Sequence, residues 1–219
     1  FDEYAKNSSV DYSFHAMILP HEELETIEKR RRWVDSILDR GITSLKMFLG
    51  YNPLQMNLPD YVIMDMLEYV KEKGAIASID SMNGDLVNYF EDKTGYRYNT
   101  TVKDLSTKTA EDVLRSRPYV CEEEGTIRTL TMAKYVGLRK LYFVHLSARQ
   151  SLDAIIQAKH KGQIAFAETT LNYLMYSVDD VKNLWPQCLN SPPFRTKDDV
   201  EAYWNGLKTG DVDVIATDH

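Results

Sequence analysis

The chain has 219 residues, 43% apolar and 27% charged, a balance that excludes disorder as its dominant state. Its 26 basic and 33 acidic residues leave a net charge of −7. With no apolar run of about 18 residues, neither nucleic acid nor a membrane is an expected partner.

In chain order, apolar runs that read as strands alternate with amphipathic runs that read as helices. A strand over 12–19 leads to a helix over 22–39, then a strand over 44–49. A helix over 60–73 leads to a strand over 75–80, and residues 81–120 form the longest loop-rich excursion, a candidate lid. A helix over 121–136, a strand over 141–147 and a helix over 149–161 follow. The series closes with a strand over 163–168, a helix over 197–208 and a strand over 212–217. The strands are nearly continuous in apolar residues, the pattern of parallel strands buried on both faces. Leu24, Ile27, Val34 and Ile37 recur on one helical face, as do Val62, Met66 and Val70. Gly41, Gly74, Gly137, Gly162 and Gly210 stand where left-handed C-caps belong. Thr196 and Asp199 are spaced as a capping box.

The basic run Lys29-Arg30-Arg31-Arg32 follows Glu22, Glu23, Glu25 and Glu28 and reads as a solvated helix face. Cys121 and Cys188 lack CxxC spacing, which sets aside a disulfide scaffold and a thiolate zinc site. That cysteine usage makes a reducing cytoplasm the expectation, and the opening FDEYAKNSSVDYSF has no basic leader, apolar signal core or initiator Met. Repeated β–α order predicts a parallel α/β architecture, either a barrel or a doubly wound sheet.

Functional groups of such folds gather at the C-terminal ends of strands. Here those ends carry His15, Lys46, Asp80, His145, Glu168 and Asp218, followed by His219. Taken singly, His15 reads as a hydrogen-bonded histidine of the core or behind a site residue, Lys46 equally as a buried ion-pair lysine or a catalytic one, and Glu168 as a structural acceptor for loop amides. Asp218 is the poorest choice for a core. As a set they are costly to bury unless something satisfies them, and a shared metal centre would do so.

The strings VDYSFHAMI, ITSLKMFLGY, SMNGD, SRPYVCEEEGTIR, VHLSA, AETTLNYL, NSPPFR and ATDH, in that order, carry a resemblance. The chain resembles the dihydropyrimidinase/hydantoinase-type cyclic amidohydrolases of the metal-dependent amidohydrolase superfamily, from about residue 10 to its end. The resemblance implies a (β/α)₈ TIM-type barrel of which about strands 3 to 8 are present, residues 1–219 being part of one catalytic barrel. It implies two divalent metals, usually zinc, bridged by a carboxylated Lys46. His145 would ligate one metal, and Asp218 would ligate the other and act as general base. Tyr51 would stabilise the oxyanion, and the Ser191 backbone would read the cyclic amide. The implied reaction opens a dihydropyrimidine or hydantoin ring to an N-carbamoyl amino acid, in a homo-oligomer that relatives form as a tetramer.

Two departures from the family pattern stand out. Asp80 occupies the place of a histidine ligand, so one metal position would gain a carboxylate, or only one metal would bind. The family's His-x-His pair is absent, the histidines being residues 15, 21, 145, 160 and 219. The rival readings are a non-catalytic scaffold that keeps the fold for assembly, and a neighbouring cyclic amidase such as an allantoinase or dihydroorotase.

Overall fold

The computed structural model describes residues 9, 12–20, 25–50, 56–97 and 107–218. Six strands form one parallel sheet in sequential order. They are β1 (His15–Met17), β2 (Ser44–Phe48), β3 (Ile76–Asp80), β4 (Leu141–Phe143), β5 (Ala165–Thr170) and β6 (Val214–Ala216). The helices are α1 (Ile27–Leu38), α2 (Asp60–Lys73), α3 (Gly84–Thr94), α4 (Ala110–Ser116) and α5 (Tyr119–Val136). After β4 come α6 (Arg149–His160), α7 (Leu171–Met175), α8 (Val178–Val181) and α9 (Lys197–Thr209). None of the described helices is long and apolar enough to cross a membrane.

Local signals place most of these boundaries. The five predicted C-cap glycines all adopt positive φ, between +69° and +83°. Thr196 Oγ1 caps α9 by accepting from the Asp199 amide at 3.4 Å, and Asp199 answers with a carboxylate on the Thr196 amide at 3.0 Å. Strand β4 stops short of its predicted end. Val144 still donates to Ile79 O at 3.1 Å, but His145 turns the chain away with φ +39°.

β2 and β3 are buried along nearly their whole length, as expected for strands covered on both faces, but the two faces of the sheet differ in chemistry. Alternate residues point to opposite faces of a strand. Ile18, Leu45, Met47, Ala77, Ile79, Leu141, Phe143, Ala165 and Ala167 pack in the main core with Val62, Met66 and Val70 of α2 and Leu130 and Ala133 of α5. The opposite parity carries Ser44 and Lys46 on β2, Ser78 and Asp80 on β3, Tyr142 on β4, and Glu168 on β5. A polar inner face thus backs onto an apolar, helix-covered outer one.

Three further expectations are corrected. The apolar stripe of α1 runs through Val34 and Ile37, while Ile27 is 54% exposed and Leu24 lies outside the described residues. The basic run is not wholly solvated. Arg30 is buried, its Nε 2.8 Å from Asp65 Oδ2, and Arg31 reaches the same carboxylate at 3.4 Å, so the run ties α1 to α2. Lys29 and Arg32 do face solvent as expected, paired at i,i+4 spacing with Glu25 and Glu28.

The excursion over 81–120 holds two helices as well as a stretch, 98–106, outside the described residues. Asn83 Oδ1 opens α3 by accepting from the Asp85 and Leu86 amides at 2.9 and 3.1 Å. Thr109 and Asp112 open α4 with a capping box. Helix α3 is no detached lid: Val87 packs with Met82 and Cys121 at the start of α5. Burial pushes the Cys121 thiol up to about 12, which leaves it inert.

Candidate active site

The site is built on the C-terminal ends of β3 and β4. Asp80, the last residue of β3, is 1% exposed, and His145, just past β4, is 4% exposed. Their side chains meet, with Asp80 Oδ2 3.3 Å from His145 Nε2. Burial works hardest to raise the Asp80 carboxyl and to lower the His145 imidazole. The opposite charge of each partner outweighs it, so Asp80 is held below and His145 above its ordinary range. The Lys46 ammonium stabilises the Asp80 carboxylate and opposes the imidazolium, whereas Asp218 favours the imidazolium. Four predicted strand-end residues therefore share one electrostatic neighbourhood.

The loop bearing His145 is gripped from two sides. From β5, Glu168 accepts the His145 amide on Oε1 at 2.9 Å and the Leu146 amide on its carbonyl at 2.8 Å. From α5, Glu122 accepts the Ser147 and Ala148 amides at 3.1 and 3.0 Å, and the Ser147 hydroxyl at 2.6 Å. Four consecutive N–H groups, 145 to 148, thus end on two buried glutamates. Arg195 braces Glu122 at 3.5 Å and donates to Ser147 Oγ at 3.0 Å. The expectation that Glu168 accepts loop amides is met.

Helix α5 also supports the Asp80 loop. A Cβ on Gly125 would lie 1.8 Å from the Ser81 carbonyl oxygen, so only glycine permits this approach. Thr126 Oγ1 donates to Ser81 Oγ at 3.0 Å, and Asn83 N–H donates to Cys121 O at 2.8 Å. One helix face, Glu122 to Thr126, holds both loops that carry the buried pair.

The remaining predicted residues take different places. Lys46 is half-buried on β2, its Nζ 4.9 Å from the centroid of the Phe48 ring, and no carboxylate of the described residues lies within ion-pair distance of it. Of the two readings of Lys46, the ion-pair one finds no partner among the described residues. Asp218 follows β6, exposed, with φ +51°. Ser191 sits in the loop that leads to Arg195, its N–H 3.0 Å from Asn190 Oδ1. His15 hydrogen-bonds Ser44 Oγ at 2.6 Å as expected, but it is exposed rather than in the core. Tyr51 and His219 lie outside the described residues.

The buried pair can be tested as metal ligands. Zinc bonds of about 2.0 Å in tetrahedral geometry set nitrogen and oxygen ligands about 3.3 Å apart. Asp80 Oδ2 and His145 Nε2 stand at that spacing, 3.3 Å, and Oδ2 accepts no well-aligned hydrogen bond. The two fit as ligands of one ion. Among the described residues no three His, Cys, Asp or Glu side chains converge to hold a metal.

Sequence reading missed Glu122, Gly125, Thr126, Tyr142 and Arg195. Arg195 carried a usable signal: a charge directly after the apolar Pro192, Pro193 and Phe194. Two grooves of about 520 Å³ lie on the outer helical layer, between α5 and α6 and between α6 and α9. Neither is lined by Asp80 or His145.

No family model matches the chain. Individual proteins do. The D-hydantoinase of Rhizobium radiobacter is 32% identical over 215 residues, covering 97% of this chain and 44% of that protein. A crystal structure of a D-hydantoinase superposes with a TM-score of 0.81 at 29% identity, covering 96% of this chain and 43% of the other. A dihydropyrimidinase from Brevibacillus agri gives 0.80 at 27% identity over 96% and 43%. The chain thus spans less than half the length of the relatives it matches. Six parallel strands with their helices are the part of that α/β barrel expected from the sequence. By sequence and by fold, nearly the whole chain is similar to part of the D-hydantoinases and of a dihydropyrimidinase.

Proposed function

We propose that this chain supplies part of the catalytic barrel of a metal-dependent cyclic amidohydrolase, residues 1–219 forming part of a single barrel. The substrate class is a dihydropyrimidine or hydantoin, opened to an N-carbamoyl amino acid. One observation carries the reading: a buried Asp80–His145 pair at ligand spacing, 3.3 Å, at the C-terminal ends of parallel strands. Lys46 and Asp218 lie within its electrostatic reach.

Asp80 and His145 would hold one divalent ion, zinc by resemblance. A carboxylated Lys46 would be the missing donor and would be shared with a second ion held by Asp218. A bound divalent metal supplies an acidified water and an electrophile for the ring carbonyl. Asp218 takes the proton of the attacking water and returns it to the departing ring nitrogen. Tyr51 donates to the carbonyl oxygen as negative charge develops there. The Ser191 backbone orients the cyclic amide. The protein would work in the cytoplasm as a homo-oligomer, tetrameric by resemblance, without nucleic acid or membrane partners.

A non-catalytic scaffold is the second reading, favoured by one feature: Asp80 and His145 neutralise each other without an ion. Metal analysis and turnover of the full-length protein separate the two. The enzyme should carry one to two divalent ions per chain and open hydantoin or dihydrouracil. No bound metal and no turnover after supply of zinc and bicarbonate would leave the scaffold reading.

A further inference from the structure

We infer that Glu168 is a positioning residue for His145, aiming the imidazole through the backbone without touching the reacting atoms. The inference rests on His145 being a metal ligand. His145 has φ +39°, a region that side-chain-bearing residues seldom occupy unless their surroundings enforce it. The enforcement comes from two adjacent residues of β5. Glu168 takes the His145 amide on its carboxylate at 2.9 Å and the Leu146 amide on its carbonyl at 2.8 Å. Thr169 Oγ1 donates to Leu146 O at 2.9 Å.

The carboxylate is itself oriented. Its other oxygen accepts from the Tyr142 hydroxyl on β4, three residues before His145. Both oxygens of a side chain only 9% exposed are therefore committed, one to the strand and one to the turn that leaves it. The direction of the His145 Cα–Cβ bond depends on φ, so releasing the turn would swing Nε2 away from Asp80. Groups that orient a metal ligand in this way typically change metal affinity by about 10–100-fold when removed.

The test uses the full-length protein and three variants: Glu168→Gln keeps an acceptor, Glu168→Asp keeps the charge but shortens the reach, and Glu168→Ala keeps neither. Cobalt(II) is the probe, read by its visible absorption and by titration, with amide exchange at residues 145–148 followed by NMR in metal-free protein. Glu168→Gln should stay close to wild type, because its amide group can face the Tyr142 oxygen, which also accepts. Glu168→Asp and Glu168→Ala should bind cobalt about 10–100-fold more weakly, with an altered band. Exchange should quicken at His145, while Ser147 and Ala148, held by Glu122, stay protected. Unchanged cobalt binding in Glu168→Asp and Glu168→Ala would overturn the inference, as would a Glu168→Gln variant as damaged as alanine. If alanine does not fold, the Gln–Asp contrast decides. If wild type takes up no cobalt, the metal reading fails, and exchange alone judges Glu168: undiminished protection of His145 in Glu168→Asp refutes its role.

Discussion

His145 and Asp218 are the two non-glycine residues with positive φ among those described, at +39° and +51°, and they share little else. His145 is buried, and the four amides from 145 to 148 are all taken by Glu168 and Glu122. Asp218 is exposed and follows β6, a strand paired only with β5 among the described residues and showing Val214 and Ile215 at 36% and 45% exposure. An unusual backbone persists only where its surroundings over-determine it. The contrast teaches that the half of the site on β3 and β4 is pre-organised by the interior of this chain. The half on β6 draws little of its order from the described contacts.

Glu122→Ala should break that contrast most severely. It strands the Arg195 guanidinium and two amides in a site where both charged side chains are 3% exposed or less. Removing one partner of such a buried pair costs about 3–5 kcal/mol, to be read from denaturant unfolding. Gly125→Ala comes next, because the new methyl would meet the Ser81 carbonyl oxygen at 1.8 Å. Overpacking against backbone costs on the order of 1–3 kcal/mol, and the thermal midpoint should fall accordingly. Thr196→Ala removes one half of the α9 capping box and should cost about 1 kcal/mol in the same unfolding assay. Asp218→Asn should move stability least, within about 0.5 kcal/mol, because the side chain is exposed. Its turnover in the full-length protein should nevertheless fall about 10²–10⁴-fold, since the proposed general base is gone. A large stability loss there would mean that the β6 end is held as firmly as the β4 end.

What the sequence disclosed follows the range of each interaction. Helix C-caps at Gly74 and Gly210 and the Thr196–Asp199 box are set by neighbours within a few residues, and periodicity or spacing exposes them. The same reasoning could have found α3, opened by Asn83 and closed by Gly95, but the polarity of 81–120 concealed it. Long-range pairings leave no local trace. Arg30 looked like one more surface charge until Asp65, 35 residues on, folded against it. Glu122 is 25 residues from Ser147 and 73 from Arg195, so its burial is decided only when three segments meet. The candidate ligands were legible because a strand end is a local position and its titratable residue can be read directly. The groups that aim those ligands were not, apart from Glu168, whose place on β5 already suggested an acceptor.

The central claim is that Asp80 and His145 form one metal position with Lys46 beside it. It is tested most directly by crystals of the full-length protein grown with zinc and bicarbonate, with anomalous diffraction measured at the zinc edge. An anomalous peak shared by Asp80 and His145, with added density on the Lys46 amine, is the result expected. Asp80 still resting directly on His145, with no peak and an unmodified Lys46, would contradict it.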